Sequence, residues 1–573
     1  MKNHWHMLDP DPHKVKELSK KLCCHPVTAS VLINRDIHTI QTATDFLSAS
    51  LNSIRSPFAL KDMDVAIHRI YKAITANEKI LIFGDYDVDG ITATVILLNF
   101  LRYAGADVSY YIPHRVTEGY SIQPGHISRY ARPHKIDLII TADCGSDSQQ
   151  AAVAAKKSGI DMIITDHHTI AENIPPAVAV INPKRRDCPA GLQNLAGVGV
   201  AFFLVICLRT HLREKGFWQE RREPNLKNYC DLVALGTVAD MVPLIEENRI
   251  LCKTGLKQIL AGRRTGLAAL LEASAIHNDF LNADDIAFRL APRLNAAGRM
   301  DHAARAVELL TAKDRDIAGQ TAHTLNLLNQ KRRQIEQSML ADIQRFLENN
   351  SSILQRRALV LSGQGWHVGV LGIVASQIVN AYYRPVVLIT IRDGIGIGSG
   401  RSVAGLNLYD ALASCKPYLE TFGGHSMAAG LKIREENIAD FQNAFESVIR
   451  RISQPEDLTP TLHIDSELDF DIISDALVNE LETLMPFGTG NPEPLFRTAN
   501  VTVVSSKIVG KNHRRMILRQ SSTPNTPVFQ AIQFNVDSRV SNKQNFSQIV
   551  YKLRWNRWKD RKTTQLVVED MQL

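Results

Sequence analysis

The sequence predicts an α/β protein in which two α/β lobes, joined by long helices around a cleft, are followed by a small C-terminal β-barrel. Three observations carry that prediction. Short apolar runs alternate with helical patterns from residue 65 to about 245, which implies a mostly parallel sheet covered by helices. The stretch 304–350 keeps apolar residues at helical spacing with no proline, as a long connecting helix or pair of helices would. After residue 499 the chain breaks into short strand-like runs.

Taken in order, residues 1–60 are mixed and helical in tendency and offer no chemistry; they read as a packing segment. The first lobe, 61–255, contains "KILIFGDYD", "DVSYYIP", "IDLIITADCG", "IDMIITDHH" and "AVAVINP". Its longest apolar run, "VGVAFFLVICL" at 198–208, is too short to span a bilayer and reads as a buried helix. Connecting helices occupy 256–352. The second lobe, 353–453, contains "RALVLSG", "VGVLGIVASQIV" and "RPVVLITI". A turn-rich linker opens 454–573, where "NVTVVSSKIVG", "RRMILRQ", "PVFQAIQF" and "SQIVYKLRWNRW" form the barrel strands.

A chain of 573 residues is too long for one ordinary core, and 45% apolar with 22% charged residues excludes a disordered protein. The formal charge of +7 permits an anionic partner. Eight cysteines without a CxxC pair fit a reducing cytoplasm, and the start "MKNHWHMLDPDP" lacks the apolar stretch of a secretion leader. No membrane partner is expected.

The chemistry sits where apolar runs end. Asp85, Asp87 and Asp89 follow the first run, Asp143 another, and Asp166, His167 and His168 a third; Asp240 follows the apolar segment before "MVP". In open α/β sheets such strand ends share one crevice, so groups distant in sequence can converge. Carboxylates gathered there without a cation would repel one another and lose hydration. Oxygen and imidazole donors without cysteine suit Mn²⁺ or Mg²⁺, and this many of them suits two ions. Any one aspartate after a strand could instead be a helix N-cap. A calcium loop fails because "TATVIL" lacks the required glutamate.

"DYDVDG", "TADCG", "TDHH" and "GTVADMVP" resemble the four motifs of the DHH phosphoesterase superfamily, and "GGHSMAAG" at 423–430 resembles its second-domain motif. "LAPRLNAAGRM", "GWHVGVLGIVASQIV" and "MPFGTGNPEPLF" narrow the resemblance to the RecJ family of bacterial single-stranded-DNA exonucleases, over roughly residues 55–573. The resemblance implies lobes of DHH and DHHA1 type and an OB-type barrel. It implies a 5′ to 3′ exonuclease that hydrolyses single-stranded DNA to 5′ mononucleotides with two ions, in repair and recombination. By motif, Asp87, Asp89, Asp143, His167 and Asp240 are metal ligands and Asp85 is a ligand or supporting acid. Asp166 orients the histidines, and His168 contacts phosphate.

The family's 5′ phosphate pocket maps onto Arg115, Arg299, Ser399 and Arg401, although each arginine alone could be a surface ion pair. Gly424 and His425 would cradle phosphate from the second lobe. In "DGIGIGSGRS" the glycines fit a strand approached closely by DNA. Trp366 and His367 either line the cleft or start the following helix. The tail "YKLRWNRWKDRK", 551–562, mixes basic and aromatic residues as single-strand binding requires, or else packs its tryptophans inward. Further partners implied are single-stranded-DNA-binding protein and a RecQ-type helicase. Two alternatives stand beside this reading: a DHH phosphodiesterase for short oligonucleotides or cyclic dinucleotides, and a non-catalytic scaffold that binds single strands.

Overall fold

The computed structural model describes residues 3–170, 173–277, 280–510, 512–521, 526–536, 543–558 and 561–573. The chain forms two compact units, one from 55–242 and 254–460, the other from 2–54, 243–253 and 461–573.

In the first unit, β1 (Lys79–Gly84), β2 (Asp107–Tyr111), β3 (Leu138–Ala142), β4 (Asp161–Thr165) and β5 (Ala179–Ile181) pair in parallel, in the order β2-β1-β3-β4-β5. Strands covered on both faces need apolar residues throughout rather than alternately, and β3 and β5 are buried along their whole length. The connection leaves β1 for one side of the sheet and returns to the other, so a topological switch point lies between the carboxyl ends of β1 and β3.

Three helices pack together beside this sheet: α1 (Val88–Tyr103), α2 (Gly197–Glu214) and α3 (Cys230–Ala239). The run at 198–208 forms the centre of α2 and is buried almost all round. Further along, α4 (Ala291–Met300) packs on α5 (Arg315–Asn349), whose 35 residues extend about 52 Å at 1.5 Å per residue. One face of α5 is buried at Ala318, Ala322, Leu325 and Asn329, and its far end puts Met339, Ile343 and Leu347 into the core of the second lobe.

That lobe contains β6 (Leu359–Gln364), α6 (Val368–Tyr382), β7 (Val386–Arg392), β8 (Ile395–Arg401), β9 (Thr421–Gly424), β10 (Ala428–Arg434) and α7 (Ile438–Ile452). Its sheet runs β9-β10-β8-β7-β6, with only β6 and β7 parallel. The glycine-rich stretch is β8, and three of its glycines are packed closely by neighbouring side chains. A methyl group on Gly396 would lie 2.7 Å from Ile389, on Gly398 2.7 Å from Leu431, and on Gly400 2.9 Å from Leu408. Trp366 covers Gly363, while the His367 ring caps α6 by accepting the Gly369 N–H at 3.1 Å, so His367 starts the helix.

The second unit holds a closed five-stranded barrel made of β11 (Phe496–Val509), β12 (His513–Gln520), β13 (Val528–Gln533), β14 (Asn545–Trp558) and β15 (Arg561–Gln572). The order is β11-β12-β13-β15-β14, closed by β11 against β14, with β13 and β15 parallel. The strand His4–Met7 pairs with Thr461–Ile464, and helices Pro12–Leu22 and Pro26–Ile33 share one core with the barrel through Leu18, Val27 and Leu32.

In the tail 551–562 the inward-packing alternative holds for one tryptophan. Trp555 is buried in that core, its Nε1 donating to Asn479 Oδ1 at 3.1 Å. Lys552 pairs with Glu569 at 2.8 Å, and Arg557 pairs with Glu482. Lys559, Asp560 and the Trp558 side chain lie outside the described residues. No helix among the described residues is long and apolar enough to cross a membrane.

Candidate active site

Backbone register brings the strand-end acids together. Each is the first residue beyond its strand, and each continues the ladder by one bond: Asp85 N–H donates to Ala142 O at 3.1 Å, Asp143 to Thr165 O at 3.0 Å, and Asp166 to Ile181 O at 3.1 Å. Asp143 adopts φ +64°, a left-handed conformation costing roughly 1–2 kcal/mol for a residue with a Cβ.

Helix ends fix the others. Asp87 caps α1, its Oδ1 accepting from Asp89 N at 3.0 Å and Gly90 N at 3.1 Å, so the capping and site readings hold together. Asp89 is clamped by the start of α2, accepting from Gly197 N at 2.7 Å and Val198 N at 2.9 Å. Asp240 is the C-cap of α3. Three overlapping groups of ligand atoms result: Asp85, Asp87 and Asp143; Asp89, His167 and Asp240; Asp143, His167 and His168.

His167 Nε2 stands 3.2 Å from Asp143 Oδ1, 3.5 Å from Asp240 Oδ2 and 3.7 Å from Asp89 Oδ2. Burial, together with the charge of His168, lowers its pKa to about 3, so the ring is neutral and one of its nitrogens keeps a lone pair available. The carboxyls carry the opposite strain. Burial and the Asp87 charge push Asp89 up to about 7 against its two N–H donors, and burial with Asp89 and Asp87 pushes Asp240 up to about 9. Asp143 and Asp85 also stand well above the usual carboxylate range, again through burial and neighbouring acids.

Asp166 is different. Its Oδ1 accepts from His167 N at 2.7 Å, His168 N at 3.1 Å and His168 Nδ1 at 2.7 Å, and its Oδ2 from Ser146 N at 2.9 Å. Burial would raise it, but His168 holds it below the usual range. In return burial would lower His168, yet the Asp166 carboxylate raises it to about 9. With its oxygens so engaged, Asp166 orients the two histidines.

The remaining predicted residues lie near these acids and histidines. Arg115 stacks over the Tyr86 ring at 4.6 Å, Arg299 donates to Gly369 O at 2.8 Å, and Arg401 donates to Ser399 Oγ at 3.2 Å and Gly400 O at 2.7 Å. Burial first, then Arg115, Arg332 and Arg401, lowers Arg299 to about 9, which places the guanidinium groups near one another. Among the described residues none of Arg115, Arg299 and Arg401 has a carboxylate ion pair. The His425 ring stacks 6.0 Å from that of His168. Gly424 has φ +139°, and a methyl there would lie 2.4 Å from Ala428 O, so the tight β9–β10 hairpin requires glycine.

Comparison with known proteins matches residues 79–237 to the N-terminal domain of the DHH family, 355–451 to the DHHA1 domain and 464–570 to the RecJ OB domain. The single-stranded-DNA-specific exonuclease RecJ of Bacillus subtilis is 35% identical over 99% of this chain and 71% of its own length. That of Salmonella typhimurium is 38% identical over 89% of this chain and 90% of its own. The chain belongs to the RecJ family. The crystal structure of Thermus thermophilus RecJ in complex with Mn²⁺ matches all of this chain and 79% of its own with a TM-score of 0.84 at 28% identity, and another of that protein contains Mg²⁺.

The residues of this RecJ-family chain fit such ions. Asp143 Oδ1, Asp85 Oδ1 and His167 Nε2 are buried without a hydrogen-bond partner, and the carboxyls of Asp89 and Asp240 stay raised even with the charge of His168 nearby. Cys144 turns away, its Sγ towards Phe83 O at 3.7 Å, which leaves a set of oxygen and imidazole donors suited to Mn²⁺ or Mg²⁺. Sequence reasoning missed two supports of the site. Asn182 donates to Ser146 Oγ at 2.8 Å and His168 O at 2.9 Å, and as the residue after β5 it obeys the strand-end rule that found the acids. Tyr120 Oη lies 3.1 Å from His168 Nδ1 and 3.4 Å from Asp143 O, and no local signal marks it.

Proposed function

We propose that this chain is a metal-dependent exonuclease that degrades single-stranded DNA from its 5′ end to 5′ mononucleotides, in DNA repair and recombination. The observation that carries this reading is a crowded carboxylate and imidazole cluster with, close by, three arginines that have no carboxylate partners among the described residues. Asp87, Asp89, Asp143, His167 and Asp240 are the ligands in this reading, and Asp85 joins them, since its free Oδ1 faces the same group. Two divalent ions there would supply a water acidic enough to yield hydroxide near neutral pH and would neutralise phosphoryl charge.

The chain's own residues do the rest. Arg115, Arg299 and Arg401, with Ser399, grip the doubly charged terminal phosphate through forked donors. His168, kept cationic by Asp166, donates to a phosphate oxygen of the scissile group. Gly424 and His425 close the opposite wall. The free cysteines agree with a reducing cytoplasm, and a single-stranded-DNA-binding protein and a RecQ-type helicase are the partners such a role implies.

The test is Mn²⁺-dependent release of mononucleotides from a long 5′-phosphorylated single strand, abolished by Asp143→Asn. Binding without cleavage in every divalent metal would refute it, and cleavage of dinucleotides alone would point to the short-substrate alternative.

A further inference from the structure

One loop connects the arginine cluster to the histidines. Residues 112–123 carry Arg115, which lies over Tyr86, and Tyr120, whose hydroxyl reaches His168 Nδ1 at 3.1 Å. A loop that must place two side chains in two parts of one site needs internal restraints, because ordering each free residue costs roughly 1–2 kcal/mol.

Glu118 supplies them. Its Oε2 accepts the His114 N–H at 2.6 Å while its own N–H donates to His114 O at 2.9 Å, closing the turn in both directions around Arg115. Its Oε1 accepts from the Tyr111 hydroxyl at 2.7 Å and lies 3.4 Å from His126 Nε2, which ties the turn to the end of β2 and to the helix that follows the loop. His126 also accepts the Gln123 N–H at 2.9 Å, and its ring packs 5.0 Å from Phe83 on β1. The His114 ring completes the turn, its Nδ1 accepting from Val116 N and Thr117 N at 3.3 Å each.

We propose that Glu118 is a positioning residue for 5′-end selection: its carboxylate fixes the 114–118 turn so that the Arg115 guanidinium is presented to the terminal phosphate. This rests on the proposed phosphate pocket. Glu118 touches no substrate, and Gly119, with φ +81°, lets the chain turn away to Tyr120 immediately after it.

The test measures kcat/KM on 5′-phosphorylated and 5′-hydroxyl single strands for wild type, Glu118→Gln, Arg115→Ala and the double variant, with melting temperature followed throughout. Glu118→Gln presents an amide N–H₂ to one of its two donors, so preference for the 5′ phosphate falls about tenfold, through KM, as loss of one charge-assisted hydrogen bond predicts. In the Arg115→Ala background the same substitution adds nothing to that loss. Tyr111→Phe, which removes one donor and leaves the carboxylate, shifts the preference in the same direction by less, and keeps the test open should Glu118→Gln fold poorly. Equal losses on both substrates, or an undiminished effect of Glu118→Gln without Arg115, overturn the assignment. If Arg115→Ala itself leaves the preference intact, the phosphate pocket reading fails and the positioning role falls with it.

Discussion

Asp240→Asn should make the metal-free protein more stable and the metal-loaded protein less so. Burial and the neighbouring Asp89 and Asp87 raise the Asp240 carboxyl from 3.8 to about 9. From pH 4 to 9 the folded chain therefore holds a proton that the unfolded chain has released, and stability falls as pH rises through that window. At pH 7 the interval above 3.8 corresponds to about 4 kcal/mol at 1.36 kcal/mol per unit, of which sharing among coupled carboxyls leaves about 2–4 kcal/mol to be recovered. Asparagine keeps the shape and cannot ionise. Calorimetry after chelation should show the variant melting several degrees above wild type at pH 7 and 8, with the gap closing towards pH 4. Saturating Mn²⁺ should reverse the order, since a ligand at about 1,000 times its dissociation constant adds about 4.1 kcal/mol to whichever protein binds it. A chelated variant melting at or below wild type at pH 8 would refute the repulsion argument.

Four further outcomes are expected. Mn²⁺ binding at pH 7 should release protons, because carboxyls raised to about 7 and about 9 must ionise to become ligands; titration calorimetry in buffers of different ionisation enthalpy should give different heats, and identical heats would contradict this. Gly197→Ala should cost about a hundredfold in activity with the fold intact by circular dichroism, since the new methyl would lie 2.3 Å from Asp143 Oδ1 and must displace it. Arg299→Ala should abolish discrimination between 5′-phosphate and 5′-hydroxyl strands, and equal losses on both would remove it from the pocket. Trp555→Ala should destabilise the barrel unit by about 3 kcal/mol in denaturant unfolding, whereas Lys552→Ala, breaking an ion pair with Glu569, should leave the salt dependence of DNA binding unchanged.

The fold class and the convergence of the acids were legible because both follow from local rules. Apolar runs covered on both faces imply parallel strands, and a polar residue just beyond such a strand must face the crevice, which is how Asp85, Asp143 and Asp166 could be read from the sequence. What grips Asp89 could not be read this way. Its partners are the N–H groups of Gly197 and Val198, more than a hundred residues away, and backbone donors leave no trace in side-chain pattern. The tail at 551–562 left two alternatives open for a related reason: composition is blind to which side of a barrel wall a tryptophan faces, and to acids such as Glu482 and Glu569 that pair with its cations. The glycines of β8 were ambiguous because a missing side chain marks close approach without saying what approaches; Leu431, Ile389 and Leu408 do so here.

The helix α5 sits in the packing of both lobes of its unit, so its length acts as a phase as well as a distance. Inserting one residue between Asn329 and Met339 would advance everything beyond by about 1.5 Å and rotate it by about 100°, carrying the β9–β10 hairpin and its His425 away from His168. An insertion of seven residues would nearly restore the rotation yet leave a displacement of about 10 Å. The middle of α5 thus behaves as a fixed gauge block whose residue count is itself part of the active site.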